Sequence, residues 1–243
     1  MSNLPGTAMI MAAGKGTRMM PLTATRPKPL VAVAGTTLLD HVLDLLANAG
    51  VGRIVANVHY LPEQIEAHLA GEDRFQIAIS DERELLRDTG GGLVQALPLI
   101  LDDPFFCINA DNWFTWRGAN PLVRLAEAWD PAKMDVLMLV VPHARAHNTK
   151  GIGDFDLGDD GRLSREGPKR PRGHDWTGVQ LLSKHMIVDP PEDVFSTNVF
   201  WDRAIAAGRC FGLVHEGEWF DVGYPEAIGL TEAALASAQT ADG

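Results

Sequence analysis

The 243-residue chain has few cysteines and fewer cations than anions. Its two cysteines, Cys107 and Cys210, each lie inside an apolar run, which excludes a disulfide scaffold or thiolate zinc site and favours a reducing compartment. Lys and Arg number 21 against 32 Asp and Glu, so the formal net charge is -11. Such an acidic chain has no general attraction for nucleic acid or anionic membranes. Any phosphate that it binds must therefore be held by locally placed cations.

Long apolar runs are also missing. No stretch approaches the ~20 residues that cross a membrane, and Gly14-Lys15-Gly16 interrupts the apolar start, Ala8 to Ala13, too soon for a secretory signal. Hydrophobic residues make up 46% and charged residues 22%, a balance typical of globular domains. We therefore expect a soluble, cytoplasmic protein that binds neither nucleic acid nor membrane.

Short apolar runs alternate with amphipathic stretches in the first two-thirds of the chain, which predicts a mostly parallel sheet covered by helices on both faces. The predicted strands are Ala8–Ala13, Arg53–Val58, Phe75–Ile79, Phe105–Asn109 and Asp135–Val141, and the predicted helices are Thr36–Ala49, Pro62–Ala70 and Pro121–Trp129. After about Pro142 the elements become shorter and include a hairpin. We expect one domain over residues 1–243, with a first part at about 8–141 and a smaller β-rich lobe at about 142–230. Gly167 to Gly173 is predicted to be a surface loop.

A glycine-rich turn, Ala12 to Arg18, follows the first predicted strand. This is where parallel sheets bind ligands; glycines let backbone amides approach a phosphate, and Arg18 adds a guanidinium. The spacing excludes a P-loop, since Lys15 is followed by Gly16 instead of Ser or Thr. It also excludes the dinucleotide fingerprint, since Met19 takes the place of its third glycine. The segment is either a phosphate-binding turn or an ordinary tight turn.

Three charged side chains could complete a phosphate site. Lys28 lies between two prolines that stiffen the chain around it. Asp111 follows the predicted strand that ends at Asn109, so it should emerge at the same sheet edge as the turn, where a carboxylate beside bound phosphates suits Mg²⁺. Asp221 lies between apolar residues and a glycine, and it either performs a function or caps the helix that follows.

A second glycine cluster, Asp88-Thr89-Gly90-Gly91-Gly92, precedes a predicted short helix from Leu93 to Leu97. Three consecutive glycines could leave an open backbone floor on which a base lies while amides read its edge. The alternative is a flexible hinge or a helix N-terminus.

The segments Gly14 to Thr23 and Pro27 to Leu30 resemble the signature of the sugar-1-phosphate nucleotidyltransferases, and the resemblance covers roughly Ala8 to Leu230. It implies a Rossmann-like, three-layer α/β fold with a small β-rich sugar-binding lobe. It also implies roles for individual residues. The nucleoside triphosphate is bound by Gly14, Gly16, Thr17, Arg18, Lys28, Gly90, Gly91 and Asn109, with Arg18 and Lys28 catalytic, and Mg²⁺ is held by Asp111 and Asp221. Ala110 and Asp88 depart from the family pattern, which usually has Gly and Glu there.

The late lobe is similar to the sugar-phosphate half of the smaller uridylyltransferases of this family. The segments Gly151 to Phe155 and Thr177 to Val179 carry this similarity, which implies a sugar contact from Asp154 and a weaker one from Thr177. Ile152 stands where that subgroup tends to carry Arg, which puts a contact to an acidic sugar substituent in doubt. The implied reaction is uridylyl transfer from UTP to N-acetylmuramate 1-phosphate with release of pyrophosphate, in peptidoglycan sugar recycling.

Two other functions stay open on the sequence. One keeps the chemistry and changes the substrates, to guanylyl or cytidylyl transfer onto heptose- or mannose-1-phosphate or phosphocholine. The other is a non-catalytic nucleotide-sensing subunit of the same fold, which typically loses a cation or a metal-binding Asp. The chain keeps the cations Arg18 and Lys28 and the aspartates Asp111 and Asp221, which favours an enzyme. Its length leaves no room for an added acyltransferase domain, so we expect nucleotidyl transfer alone.

Histidines and aromatic residues offer weaker signals. His143 and His147 have helical metal-ligand spacing, but Pro142 and the loop composition disfavour a helix there. Trp113, Phe114 and Trp116 are either packing residues or part of a substrate lid.

Overall fold

A computed structural model describes residues 4–165 and 170–241, and residues 167–169 of the predicted surface loop lie outside this range. The helices within it are α1 (Leu38–Ala49), α2 (Pro62–Ala70), α3 (Asp88–Ala96), α4 (Pro121–Ala128), α5 (Asn198–Ala206) and α6 (Pro225–Ala241). The strands are β1 (Thr7–Met11), β2 (Ala32–Val33), β3 (Thr36–Thr37), β4 (Arg53–Val58), β5 (Gln76–Asp81), β6 (Phe105–Asn109), β7 (Asn112–Phe114), β8 (Val136–Pro142), β9 (Ala146–His147), β10 (Asp156–Leu157), β11 (Leu163–Ser164), β12 (His174–Leu182), β13 (Cys210–Val214) and β14 (Trp219–Asp221).

A seven-stranded sheet forms the centre of the described part of the chain, in the order β13-β8-β12-β6-β1-β4-β5. Neighbouring strands are parallel except at β12, which runs antiparallel to both β6 and β8. The mostly parallel α/β sheet predicted from the sequence is confirmed. Because β1 lies between β4 and β6, the segments after β1 and β6 meet at one edge of the sheet.

Both faces of the sheet are buried, which explains the unbroken apolar run of β1. Ala8 and Ile10 pack on one face with α1, α2 and α4, while Met9 packs on the other face with α3 and α5. At about 25 cal/mol per Å² of buried apolar surface, these two layers supply the main driving force for folding. The helix α6 instead packs with a third, smaller cluster around Phe220 and Val222.

The late part of the chain does not form a lobe by itself. Its strands β12 and β13 join the central sheet, while β10 pairs with β11 in a hairpin and β14 pairs with β7 and β9. The antiparallel pairing of β14 with β7 sets Asp221 opposite Asn112, the residue after Asp111. Residues that are far apart in the sequence are thereby brought to one sheet edge.

Local sequence signals account for α1. Thr37 caps its N-terminus by accepting a hydrogen bond from the backbone N–H of Asp40, and Gly50 ends it with a positive φ of 89°. No helix in residues 4–165 and 170–241 is long and apolar enough to cross a membrane.

The glycine cluster does not form the open floor that we expected. Gly90, Gly91 and Gly92 lie inside α3 and are buried. The backbone N–H groups of Gly90 and Gly91 donate to the carbonyl of Phe195, at 2.8 and 3.2 Å. A Cβ at Gly90 would lie 2.5 Å from the Phe195 ring, and one at Gly91 would meet the carbonyl oxygen of Asp193. The prediction that Gly90 and Gly91 bind the nucleotide is therefore wrong, since these glycines serve close packing of α3 on a loop.

The aromatic cluster after β6 consists of packing residues. Trp113 stacks on His41 with ring centroids 4.1 Å apart, and Phe114 is fully buried.

Burial lowers the pKa of His41 to about 4. Burial also raises the pKa of Cys107 and Cys210 to about 12, so both remain protonated thiols at neutral pH.

We predict that Gly91→Ala destabilises the protein. The added methyl group meets the backbone of Asp193, which cannot rotate away, and overpacking of this kind costs about 1–3 kcal/mol. Gly229→Ala in α6 is the matched control, since apart from its two chain neighbours and the helix's own backbone no atom of the described residues lies within 4 Å of its Cβ position. The control should raise stability by up to about 1 kcal/mol through helix propensity. Urea denaturation measures both changes, and equal midpoints for the two variants would contradict the packing role.

Candidate active site

The glycine-rich turn forms one wall of a cavity of about 180 Å³ at the carboxyl end of β1. Apart from its two chain neighbours, no atom of the described residues lies within 4 Å of a Cβ at Gly14, so its backbone is open to the cavity. Gly16 has a φ of +61°, and a Cβ there would lie 3.0 Å from Cβ of Lys28. Thr23 donates its hydroxyl hydrogen to the Gly16 carbonyl at 2.8 Å and fixes the turn. Glycine is thus required at 16 both for the backbone conformation and for space.

Several of the predicted site residues reach this cavity, and Arg18 and Lys28 supply its positive charge. Gly16, Thr17, Arg18 and Lys28 all line it, together with Asp111. Lys28 is buried, with 7% of its surface exposed, and its Nζ lies 2.8 Å from Oδ2 of Asp111. A buried ammonium requires such a partner, because desolvation without one costs several kcal/mol. The pair fixes Lys28 at the end of β6.

Asp221 lies beside this pair and has no hydrogen-bond donor among the residues that the structure describes. Its Oδ1 would be 2.7 Å from a Cβ at Gly223, and Nη1 of Arg18 would be 3.2 Å from the same point. Burial raises the pKa of Asp221 above its ordinary value, Asp111 adds to the rise, and Lys28 and Arg18 oppose it. The two predicted metal ligands are therefore close neighbours at one sheet edge.

The donor chemistry of this pair suits Mg²⁺. Mg²⁺ binds hard oxygen ligands, usually one or two carboxylates together with substrate phosphates and water. Asp111 and Asp221 offer two carboxylates, of which Asp221 is half-buried and accepts no hydrogen bond from the described residues. No group of three or more His, Cys, Asp or Glu that could hold a metal occurs within residues 4–165 and 170–241. An ion held by these two carboxylates would take its other ligands from substrate phosphates and water.

A second cavity, of about 420 Å³, adjoins the first, and Gly14 and Asp111 line both. Asn109 lines it as predicted, at the end of β6. Its outer wall consists of Leu86, Asp88, Thr89 and Val194. These residues, not Gly90 and Gly91, face the space where a base could lie, with apolar side chains suited to a ring and polar ones suited to its edge.

Two buried polar residues that the sequence did not reveal connect the walls of this cavity. Asn57, at 2% exposure, accepts a hydrogen bond from the backbone N–H of Ala12 at 2.7 Å and donates through Nδ2 to Oε1 of Glu82 at 2.7 Å. Oε2 of Glu82 accepts from the backbone N–H of Arg87 at 3.0 Å. The chain Ala12–Asn57–Glu82–Arg87 therefore ties the start of the glycine-rich turn to the loop before α3. Neither residue belongs to a recognisable motif, so no sequence signal marked them.

A third cavity, of about 350 Å³, shares Asp88 and Thr89 with the second. Asp154 lines it as predicted, and its Oδ2 accepts a hydrogen bond from the backbone N–H of Trp176 at 2.9 Å. Crowding by the cavity walls desolvates this carboxylate and raises its pKa, which the Trp176 hydrogen bond opposes. The three cavities thus adjoin one another in a row from the glycine-rich turn to Asp154, and together we call them the cleft.

Thr177 does not reach the cleft. Its side chain is fully buried, and its hydroxyl donates to the carbonyl of Leu139 at 2.9 Å, across the β12–β8 pair. The prediction that Thr177 binds the substrate is wrong, because its hydrogen-bonding capacity is used inside the sheet. Trp176, the residue before it, lines the third cavity instead.

We predict that Glu82→Gln destabilises the protein by about 1–3 kcal/mol, the cost of leaving a buried donor without an acceptor. One amide oxygen cannot replace two carboxylate oxygens, so either Asn57 Nδ2 or the Arg87 N–H faces the amide NH₂ of the variant. Glu84→Gln, at a neighbouring exposed position, is the control and should leave stability unchanged. Urea denaturation checks this, and an equal shift in both variants would contradict the linking role of Glu82.

Comparison with known proteins agrees with this geometry. Residues 7–238 match the nucleotidyl transferase family. The chain is 41% identical to N-acetylmuramate alpha-1-phosphate uridylyltransferase of Caulobacter vibrioides, over 98% of this chain and 100% of that protein. It is 46% identical to the protein of the same name from Neisseria meningitidis, over 89% of this chain and 92% of that one.

Solved structures share the fold. HddC from Yersinia pseudotuberculosis, complexed with GMP-PN, superposes with a TM-score of 0.74 at 23% identity, covering 94% of this chain and 99% of that one. A UDP-glucose pyrophosphorylase complexed with UDP-glucose gives a TM-score of 0.76 at 15% identity, covering 96% and 98%. With a family match over nearly its whole length and relatives above 40% identity, the chain belongs to the nucleotidyl transferase family.

Proposed function

We propose that this enzyme transfers the uridylyl group of UTP to N-acetylmuramate 1-phosphate and releases pyrophosphate. The observation that carries the proposal is the convergence of Arg18, Lys28, Asp111 and Asp221 at one end of a cleft. Two relatives that align with this chain over most of their length are both named N-acetylmuramate alpha-1-phosphate uridylyltransferase, which supports the same acceptor here.

The cleft offers a separate place for each part of the substrates. The glycine-rich turn, Arg18 and Lys28 would receive the phosphates in the first cavity. The base would lie in the second cavity against Leu86 and Val194. The sugar would lie in the third cavity against Asp154, with its phosphate directed toward the first.

In the proposed reaction, a phosphate oxygen of the sugar-1-phosphate attacks the α-phosphorus of UTP. A new bond forms between that oxygen and the α-phosphorus. The bond from the α-phosphorus to the oxygen that bridges it to the β-phosphorus breaks, and pyrophosphate leaves with the electron pair. Because the attacking oxygen is already anionic, no general base is needed. The protein contributes alignment and charge neutralisation.

Named residues supply that neutralisation. Arg18, exposed at the mouth of the first cavity, would bind the departing pyrophosphate. Lys28, held in place by Asp111, would bind the α-phosphoryl oxygens. Asp111 and Asp221 would hold Mg²⁺, which when bound neutralises phosphate charge.

We further propose that the enzyme works in the cytoplasm, as a monomer or weak homo-oligomer, in the recycling of peptidoglycan sugars. Its two buried, protonated cysteines suit a reducing compartment. Its acidity argues against nucleic acid as a partner.

A pyrophosphate-release assay tests the proposed reaction. UTP, GTP, CTP and ATP are each combined with N-acetylmuramate, N-acetylglucosamine, mannose and heptose 1-phosphates. We expect the highest kcat/KM with UTP and N-acetylmuramate 1-phosphate. A higher value for GTP with a mannose or heptose phosphate would replace the proposal with guanylyl transfer, and no release from any pair would indicate a nucleotide-sensing protein.

We predict that Lys28→Ala lowers kcat by about 10²–10³-fold, the usual effect of removing one preorganised charge from a transition state. Lys15→Ala is the matched control. Lys15 lies in the same turn but is exposed and outside the lining of the first cavity, so its removal should change kcat far less. Steady-state kinetics at saturating substrates checks both variants, and equal losses would show a general electrostatic effect in place of the assigned role.

We predict that Asp221→Asn raises the Mg²⁺ concentration needed for half-maximal turnover by at least tenfold, because a neutral amide binds the ion more weakly than a carboxylate. Asp189→Asn, at an exposed loop position, serves as the control. Turnover measured across a Mg²⁺ titration checks this. An unchanged Mg²⁺ requirement in Asp221→Asn would remove Asp221 from the metal site.

A further inference from the structure

The third cavity contains a cation that the proposed reaction does not use. Among the described residues that line this cavity, Arg165 is the one cation, and Asp88 and Asp154 are the anions. Arg165 follows β11, at the end of the hairpin that begins after Asp154. In a chain of net charge -11, a guanidinium at the sugar end of the cleft is a local exception to the surrounding charge.

Aromatic side chains form the wall around this guanidinium. Trp176 and Trp201 lie edge to face, with ring centroids 4.6 Å apart. The Arg165 Cζ lies 5.7 Å from the ring centroids of both Phe155 and Trp201. Apolar and aromatic walls with a few fixed polar groups are typical of small-molecule sites, and they suit the C–H faces of a sugar ring.

Helix α5 holds the guanidinium in one orientation. Its Nε and Nη2 donate to Oδ1 of Asp202 at 2.8 and 2.6 Å, and Nη2 also donates to the backbone carbonyl of Asn198 at 3.1 Å. On the other side, Nη1 donates to Oδ1 of Asn198 at 2.8 Å. The carboxylate partner therefore occupies the Nε/Nη2 edge, whereas the partner of Nη1 among the described residues is a neutral amide.

Two donors remain beside each other at the cavity wall. Nη1 of Arg165 carries a second hydrogen that has no acceptor among the described residues. Because Asn198 accepts from Arg165 through Oδ1, its Nδ2 hydrogens are left as donors, again without an acceptor in the described part of the chain. Both residues line the cavity. A charged N–H next to an amide N–H₂ suits an anionic oxygen.

We propose that Arg165 and Asn198 bind a carboxylate on the acceptor sugar, and so select sugar-1-phosphates that carry an acidic substituent. This inference rests on the proposed function, in which the third cavity receives the sugar. N-acetylmuramate differs from N-acetylglucosamine by a lactyl ether that ends in a carboxylate. Ile152, where an arginine was expected for this contact, is 39% exposed and carries no charge. Arg165 supplies, from a different position in the sequence, the positive charge that Ile152 lacks.

The electrostatics of the cavity make this contact selective. Asp88 and Asp154 repel an anionic substituent, and Arg165 is the one cation among the described residues of this lining, so the guanidinium also fixes the orientation of the sugar. An uncharged acceptor has no carboxylate to place and gains little from Arg165. Loss of Arg165 should therefore affect the acidic acceptor alone, and discrimination arises as a difference between two affinities.

The test compares two acceptors that differ only in the lactyl group. Pyrophosphate release from UTP is measured with N-acetylmuramate 1-phosphate and with N-acetylglucosamine 1-phosphate. The enzymes are the wild type, Arg165→Gln, Arg165→Lys and a control, Arg162→Gln. Arg162 lies on the same hairpin but outside the cavity, where it is 54% exposed and pairs with Asp160.

We expect Arg165→Gln to lower kcat/KM for N-acetylmuramate 1-phosphate by about 10- to 100-fold, the range for one lost charged hydrogen bond, mainly through a higher KM. Turnover of N-acetylglucosamine 1-phosphate should stay unchanged, Arg165→Lys should recover part of the loss, and Arg162→Gln should match the wild type. Equal losses for both acceptors would show a structural role, and no loss for either would show no contact. Either result overturns the inference.

A binding measurement separates this inference from the proposed function. Tryptophan fluorescence, with Trp176 and Trp201 in the cavity wall, reports binding of each acceptor without UTP. If the wild type binds N-acetylmuramate 1-phosphate more tightly than its N-acetylglucosamine counterpart, and Arg165→Gln removes the difference, the inference holds even if no nucleotide pair reacts. If the wild type binds both equally, the inference is overturned, whatever the turnover assay shows.

Discussion

A lysine buried in an acidic protein needs an anion beside it, and at Lys28 that anion is Asp111, 2.8 Å away. The ion pair joins positions 83 residues apart and fixes a proline-flanked segment on the end of β6. Most other features of the cleft depend on it. Gly16 must be glycine because the backbone of its turn lies against the Lys28 side chain, and Asp221 lies close enough for both charges to act on its pKa. One contact therefore serves both folding and the proposed chemistry.

The distribution of charge along the cleft follows from the same constraint. Arg18 and Lys28 stand where the most highly charged part of a nucleotide would lie, and the acidic side chains next to them are the two that suit a metal ion. The middle of the cleft is apolar at Leu86 and Val194, as a base requires. A protein with net charge -11 can thus bind two phosphate-bearing molecules without a generally basic surface.

The sequence predicted elements whose signals are local. Strand Arg53–Val58 and helix Pro62–Ala70 were predicted with the bounds that the structure has, because an apolar run and a proline at the first helical position define them. The glycine-rich turn and Asp111 were placed together because parallel strands end at a common edge, and the resemblance to the family added Lys28 and Asp221 to the same site. Predictions failed where the role of a residue depends on a contact with a residue far away in the sequence. The Leu139 carbonyl engages Thr177, and the loop at Phe195 covers Gly90 and Gly91. Asn57 and Glu82 act only through each other and the backbone.

The reversed direction of β12 has a consequence for how such a protein can change. Because β12 runs antiparallel between β6 and β8, its beginning, and not its end, lies at the edge where the other strands finish. Most side chains around the third cavity therefore come from the connections before β12, from the start of β12 and from α5, and Asp88 and Thr89 come from the start of α3. The turn after β1 and the end of β6 do not line this cavity. Mutation can diversify the choice of acceptor in those connections without disturbing the machinery of phosphoryl chemistry, so one scaffold can give rise to many specificities.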